Sequence, residues 1–160
     1  MKLTVNSAAE MNKIGAAIAL TTKPHDLLLL KGDLGAGKTT LTQGIGRTLG
    51  IKRPVKSPTF TIVREYREAH LPLFHMDFYR LENDDLSSID LNSYLAEPGL
   101  VVIEWPQVIK AQLPEYALQL TIRRVDDQWD STKRTVEFEV QGERAKQWLA
   151  DILVQLKSIS

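Results

Sequence analysis

The sequence contains no cysteine among its 160 residues, which excludes disulfide bonds, thiolate metal ligands and cysteine nucleophiles. It has no excess of either charge, because 20 lysines and arginines balance 20 aspartates and glutamates. The net charge therefore gives no argument for contact with nucleic acid or with a membrane surface. The amino terminus lacks the apolar core of a signal peptide, and no apolar run approaches the roughly 20 residues that span a bilayer. We expect a cytoplasmic protein.

The overall composition is that of a globular protein, with 43% hydrophobic and 25% charged residues. A chain of this length can bury roughly 70% of the surface that its unfolded form would expose. The sequence shows no internal repeat, low-complexity segment or linker. These features predict a single domain over residues 1–160.

The most informative segment is residues 32–39, which read Gly-Asp-Leu-Gly-Ala-Gly-Lys-Thr and follow the apolar run Leu27–Leu30. The pattern G-x-x-x-x-G-K-T after a buried strand is typical of a phosphate-binding P-loop. Glycines remove the Cβ atoms that would keep backbone N–H groups away from a triphosphate. An ordinary glycine-rich turn is the alternative interpretation. The residues expected to contact the nucleotide are Asp33, Leu34, Gly35, Ala36, Gly37, Lys38, Thr39 and Thr40.

Two side chains of this loop have predicted roles in binding a nucleoside triphosphate with Mg²⁺. We expect Lys38 to reach the β- and γ-phosphates and the Thr39 hydroxyl to bind the metal ion. The helix that begins here also points the positive end of its dipole at the anion.

Apolar periodicity predicts the remaining helices and strands. The predicted strands are 2–5, 27–31, 59–66, 71–79 and 100–104, followed by two alternating strands around 118–122 and 136–140. The predicted helices start from a capping box at Ser7 and Glu10, at Lys38, within 84–95 and at Glu143. The predicted fold class is α/β, a three-layer domain like those of P-loop NTPases, with a mainly parallel central sheet and an antiparallel extension.

Two carboxylates compete for a role near the phosphates. Glu104 ends the apolar strand 100–104, and a strand beside the P-loop strand would bring this acid to the Mg²⁺ and the γ-phosphate. In the segment 73–79, the two-residue period of a strand puts His75, Asp77 and Tyr79 on one face. That face is either an exposed sheet surface or part of a nucleotide and partner surface. The sequence leaves open which of the two acids orients the attacking water.

A third candidate lies in the segment Ser-Pro-Thr-Phe at 57–60, where Thr59 follows Thr39 by 20 residues. Nucleotide switches place a threonine that senses the γ-phosphate and Mg²⁺ at about this distance from the P-loop. A simple turn at Pro58 is the alternative interpretation.

Four motifs occur in one order along the chain: the P-loop at 32–40, Ser-Pro-Thr-Phe at 57–60, His-Met-Asp-Phe-Tyr-Arg-Leu at 75–81 and Ile-Glu-Trp at 103–105. Together they resemble the bacterial TsaE (YjeE) family over about residues 5–125. The resemblance implies a P-loop ATPase that uses ATP and Mg²⁺ and is required to make N6-threonylcarbamoyladenosine (t6A) in tRNA. It implies action with the TsaD–TsaB heterodimer, whose turnover ATP hydrolysis would support, and contact with tRNA only through that complex.

The same resemblance assigns roles to individual residues. It implies that Thr39 and Glu104 are Mg²⁺ ligands, that Thr59 is a switch-like residue and that Asp77 is a catalytic or coupling carboxylate. With Lys38, these residues form the expected catalytic set. Trp105 belongs to the same signature, and the alternative for it is an ordinary buried tryptophan.

Two other classes of P-loop protein fit the sequence less well. A small-molecule kinase usually brings a lid with clustered arginines and a second substrate pocket, whereas the only adjacent arginine pair here is Arg123 and Arg124 on a strand with a structural pattern. A regulatory GTPase needs an Asn/Thr-Lys-x-Asp loop for guanine. The segment 22–26 has one residue too many for that loop, and 132–135 lacks the acid. The sequence therefore favours the ATPase.

Overall fold

Seven strands form one mixed sheet in a computed structural model that describes residues 1–58, 62–80 and 89–159. The strands are β1 (Lys2–Val5), β2 (Leu27–Lys31), β3 (Val63–Tyr66), β4 (Leu73–Asp77), β5 (Leu100–Glu104), β6 (Ala117–Arg124) and β7 (Arg134–Gln141). The α-helices are α1 (Ala8–Thr21), α2 (Lys38–Thr48), α3 (Leu91–Ala96) and α4 (Glu143–Ile159), and a 3₁₀ helix spans Pro106–Gln112.

The strand order is β1-β7-β6-β2-β5-β4-β3. The four neighbouring strands β6, β2, β5 and β4 are parallel, and antiparallel strands flank them on both sides. The predicted α/β class with a parallel centre and an antiparallel extension is therefore confirmed. The extension formed by β7 and β1 has a counterpart in β3 at the opposite edge of the sheet.

Helices cover both faces of the sheet, so the central strands are apolar on both sides. On β2, Leu28 and Leu30 belong to the cluster packed with residues of α1, α2 and α4, whereas Leu27 and Leu29 belong to the cluster packed with residues of α3 and the 3₁₀ helix. Burial on both faces explains why β2 reads as a continuous apolar run rather than an alternating one.

The position of α2 depends on a close contact with α1. A Cβ atom on Gly15 of α1 would lie 2.5 Å from the carbonyl oxygen of Leu41 and 3.0 Å from the backbone nitrogen of Ile45, both in α2. The absence of a side chain at Gly15 therefore lets the two helix backbones meet. Because α2 begins at Lys38, this contact also fixes the direction of the P-loop helix.

The predicted elements differ from the observed ones at a few ends. The strand predicted over 71–79 is shorter: β4 ends at Asp77, whose Oδ1 accepts a hydrogen bond from the backbone N–H of Tyr79 at 2.9 Å and starts a turn. Half of the predicted capping box is present: Ser7 Oγ accepts from the N–H of Glu10 at 3.1 Å, but the Glu10 carboxylate accepts from the N–H of Asn6 at 2.7 Å rather than from that of Ser7. Of the helical segment predicted over 84–95, residues 84–88 lie outside the described residues, as do residues 59–61 of the predicted strand 59–66.

Candidate functional site

The P-loop joins β2, near the centre of the sheet, to the amino-terminal end of α2. Gly32 has a φ of 154°, and a Cβ atom there would lie 2.6 Å from the carbonyl oxygen of Ile122 in β6. Gly37 is the residue before the first turn of α2, and no side chain of the described residues caps that turn. The N–H groups of the turn therefore remain available for an anion.

The loop lies beside the carboxyl ends of two neighbouring strands. In the sheet, Leu30 of β2 is paired with Glu104 of β5, and Glu104 is paired with Asp77 of β4. Parallel strands end at the same edge of a sheet, so both acids stand next to the loop that follows β2. Asp77 has 4% and Glu104 has 2% of its residue surface exposed, so two carboxylates are buried side by side.

A cavity of about 200 Å³ brings most of the predicted site residues together. Its lining consists of Leu34, Gly35, Gly37, Lys38, Thr39, Thr40, Ser57, Asp77, Glu104 and Trp105. Asp33 and Ala36, the other two predicted loop contacts, line a larger adjoining cleft of about 470 Å³. Thr59 lies outside the described residues, although Ser57 of the same motif lines the smaller cavity.

Lys38 is buried, with 5% of its surface exposed. Its ammonium group donates to the carbonyl oxygen of Gly32 and lies 4.3 Å from the centre of the Trp105 ring. Burial lowers the pKa of Lys38, and the negative charges of Glu104, Asp77 and Asp33 act in the opposite direction. The ammonium group is thus held between a loop carbonyl, an indole face and two buried acids.

The face of β4 that carries His75 and Asp77 is not an exposed surface, which corrects one of the two alternatives drawn from the strand period. His75 has none of its surface exposed, and its Nε2 lies 2.6 Å from Glu104 Oε2. This face belongs to the side of the sheet on which Leu73 packs with residues of α2. Only Tyr79, beyond the end of the strand, is exposed, at 41%.

Trp105 is half-buried rather than part of the core. Its backbone has a φ of 57° directly after β5, and its ring packs against the Tyr79 ring in a tilted arrangement, with 4.7 Å between the ring centres and 41° between the ring planes. The interpretation of Trp105 as an ordinary buried tryptophan is therefore wrong. That description fits Trp148, which has 1% of its surface exposed. Trp105 instead lines both the cavity and the adjoining cleft.

The family model described as "Threonylcarbamoyl adenosine biosynthesis protein TsaE" matches residues 5–136 of this chain. The chain belongs to the TsaE family. The Bacillus subtilis (strain 168) protein named "tRNA threonylcarbamoyladenosine biosynthesis protein TsaE" is 45% identical over 141 residues, which is 88% of this chain and 85% of that protein. The Streptomyces coelicolor protein of the same name is 38% identical over 138 residues, which is 84% of this chain and 93% of its relative.

A solved structure of similar fold supports the same grouping. The crystal structure of Bacillus subtilis YdiB matches with a TM-score of 0.82 at 37% identity, covering 95% of this chain and 93% of the other. The family resemblance inferred from the four motifs is therefore confirmed, and so is the fold class. The family match ends shortly after the start of β7.

In this TsaE-family chain, Arg134 of β7 contacts the P-loop, a contact that the sequence does not indicate. Its Nε donates to the carbonyl oxygen of Ala36 at 2.9 Å, and one of its terminal nitrogens lies 3.3 Å from the carbonyl oxygen of Gly35. No local pattern marks this arginine, because its partners lie 98 and 99 residues earlier in the chain. The β6–β7 hairpin brings Arg134 to the loop, where it binds carbonyl oxygens, which are groups that an anion does not use.

His75 is the second residue whose place in the site the sequence did not reveal. The two-residue period of β4 put His75 on the face opposite Phe74 and Met76, but it did not indicate that His75 bonds to Glu104.

Among the described residues, no group of three or more histidine, aspartate and glutamate side chains has the arrangement of a metal cluster. In the same residues, no helix is long and apolar enough to cross a membrane.

Proposed function

We propose that this protein is a Mg²⁺-dependent ATPase that acts in the biosynthesis of t6A in tRNA. Membership of the TsaE family supports the pathway. The observation that carries the ATPase is the meeting of the P-loop with two buried acids, Asp77 and Glu104, in one cavity. A glycine-rich turn with a purely structural role would not need two desolvated carboxylates and a buried lysine beside it.

In the proposed complex, the backbone N–H groups of the loop and of the first turn of α2 bind the phosphates. Lys38 turns from the carbonyl of Gly32 to the β- and γ-phosphates. This exchange replaces a hydrogen bond to a neutral carbonyl oxygen with an ion pair to a charged phosphate oxygen. The bound nucleotide is ATP in this proposal because the guanine-selecting loop of GTPases is absent from the sequence.

The donor set in the cavity fits Mg²⁺. Thr39 supplies a hydroxyl and Glu104 a carboxylate, and hard oxygen donors of this kind, together with water and phosphate oxygens, are what Mg²⁺ prefers. The ion supplies neutralisation of the charge on the β- and γ-phosphate oxygens when it is bound. In this proposal Asp77, which is paired with Glu104 in the sheet, orients the attacking water or accepts its proton.

We propose that the isolated protein hydrolyses ATP slowly and that the TsaD–TsaB heterodimer makes hydrolysis productive. An arginine that stabilises the transferring phosphoryl group is worth on the order of 10³ to 10⁵ in rate. In the described part of the chain, Arg134 is the arginine bonded to the P-loop, and it bonds to loop carbonyls. A partner that supplies or aligns the missing charge would account for this arrangement, with tRNA reached through the complex.

The test is steady-state phosphate release from ATP, with and without purified TsaD–TsaB, together with multiple-turnover modification of tRNA. Wild type is compared with Thr59→Ala, Glu104→Gln and Asp77→Asn, and with Glu115→Gln as a control at an exposed glutamate. We expect Glu104→Gln to bind ATP and to hydrolyse it roughly 10² to 10⁴ times more slowly. Hydrolysis by Glu104→Gln at the wild-type rate would show that Glu104 is not an essential ligand, and hydrolysis by Asp77→Asn at the wild-type rate would show that Asp77 does not orient the attacking water. Fast hydrolysis that partners do not change would contradict the proposed partnership.

A further inference from the structure

The hydrogen bond between His75 and Glu104 lies in the interior of the protein. The two side chains have 0% and 3% of their surface exposed, and Nε2 of His75 lies 2.6 Å from Oε2 of Glu104. In the sheet, His75 is paired with Val102 of β5, so Glu104 is the next residue along β5 on the same face. The bond therefore crosses two neighbouring strands diagonally, a separation that a long side chain can span.

The bonding pattern assigns the donor in this pair. Nδ1 of His75 is buried and has no hydrogen-bond partner among the described residues. A carboxylate only accepts hydrogen bonds, and a neutral histidine has one donor nitrogen and one acceptor nitrogen. The arrangement that satisfies the pair has the proton on Nε2, which donates to Glu104.

This bond occupies Oε2 of Glu104, whose side chain lines the cavity together with Lys38 and Asp77. Without a donor behind it, the carboxylate would be free to rotate towards Lys38, whose charge acts on it. A residue that holds a ligand from behind fixes the direction in which its free oxygen points.

We propose that His75 is a positioning residue that orients the Glu104 carboxylate towards the divalent cation of the nucleotide site. The proposal rests on the proposed function for the identity of the bound ion. His75 is not among the residues that line the cavity, whereas Glu104 is, so the proposed effect of His75 passes through Glu104. The alternative is a purely structural role, in which His75 contributes only to the packing of the protein interior.

Three substitutions separate these two roles. His75→Gln keeps an N–H donor at about the reach of Nε2. His75→Asn keeps polarity but is too short to reach Glu104, and His75→Leu keeps volume without any donor. The matched control is His70→Leu at an exposed histidine. Thermal unfolding of each variant reports whether it is folded.

The first readout is binding of Mn²⁺, a spectroscopic substitute for Mg²⁺, measured by electron paramagnetic resonance with ADP present. Loss of a residue that orients a metal ligand typically weakens metal affinity or activity by about 10- to 100-fold. We expect that loss in His75→Leu and His75→Asn, with most of the affinity retained in His75→Gln and all of it in His70→Leu. Nucleotide affinity without metal should stay within about twofold of wild type.

The second readout is kcat for ATP hydrolysis in single and double variants. If His75 acts through Glu104, adding His75→Asn to Glu104→Gln lowers kcat no further. Equal losses in His75→Gln and His75→Asn, additive losses with Glu104→Gln, or wild-type Mn²⁺ affinity in folded His75→Asn would each overturn the proposal. If wild type releases no phosphate, the proposed ATPase fails, and Mn²⁺ binding still decides the role of His75. If His75→Leu does not fold, the comparison of Gln with Asn gives the answer.

Discussion

Gly15→Ala tests whether the contact between α1 and α2 sets the stability of the P-loop helix. The added Cβ atom would lie 2.5 Å from the carbonyl oxygen of Leu41, 3.0 Å from the nitrogen of Ile45 and 3.2 Å from the carbonyl carbon of Gly44. All three are backbone atoms of α2, so no side chain can rotate away to make room. The two helices would have to separate.

The size of the effect follows from these distances. An ordinary contact begins near 3.4 Å, so α2 would have to move by roughly 0.9 Å, and overpacking of this kind typically costs about 1–3 kcal/mol. Alanine is the better helix former by up to about 1 kcal/mol, which offsets part of the loss. The net expectation is a destabilisation of about 1–2 kcal/mol, or a fall in Tm of about 2–8 °C for a chain of this size.

The assay is urea unfolding followed by circular dichroism, with Lys13→Ala as the control on an exposed position of the same helix. The control should stay within about 0.5 kcal/mol of wild type. If Gly15→Ala were as stable as wild type or more stable, the helix preference of alanine would have outweighed the steric clash. The close approach of the two backbones would then not be a constraint on α2.

Two further substitutions test the contribution of Lys38 to ATP binding and of the Arg144–Asp26 ion pair to stability. Lys38→Ala should raise the Kd for ATP by roughly 10- to 100-fold in calorimetric titration, because hydrogen bonds to charged groups contribute about 1.5–3 kcal/mol; unchanged affinity would mean that Lys38 does not reach the phosphates. Arg144→Leu should lower the free energy of unfolding by about 2–4 kcal/mol, because it leaves the buried carboxylate of Asp26 without the two hydrogen bonds at 2.9 and 2.7 Å that Arg144 donates. Arg123→Leu, at the exposed pair with Glu137, is the control and should lose less than about 1 kcal/mol.

The sequence predicted the parts of the site that depend on local patterns. The glycine spacing and the apolar run before it identified the loop between β2 and α2. The acid at the end of the apolar strand 100–104 identified Glu104, because parallel strands end at one edge of a sheet. These features need only neighbouring residues and a general rule of sheet topology, and the structure has them where they were expected.

The sequence did not predict contacts that depend on how distant elements pack. Alternation along β4 showed that His75 and Asp77 share a face, but it could not show that this face is buried, because burial depends on the helix above it. Arg134 reaches the loop only after β6 and β7 pair. Trp105 belongs to a motif that the sequence shows, but its partial exposure depends on its left-handed backbone conformation. Glycine and asparagine are the residues that usually indicate this conformation, and a tryptophan does not.

The formal charges in the cavity support a divalent cation in the proposed function. Lys38 contributes one positive charge, and Asp77 and Glu104 contribute two negative charges, so these three side chains carry a net charge of −1 before any nucleotide enters. A triphosphate adds further negative charge, and in a buried site such charges repel much more strongly than in water. This charge balance supports the proposal that ATP binds together with a divalent cation, and the oxygens of Thr39 and Glu104 are the donors proposed to hold it.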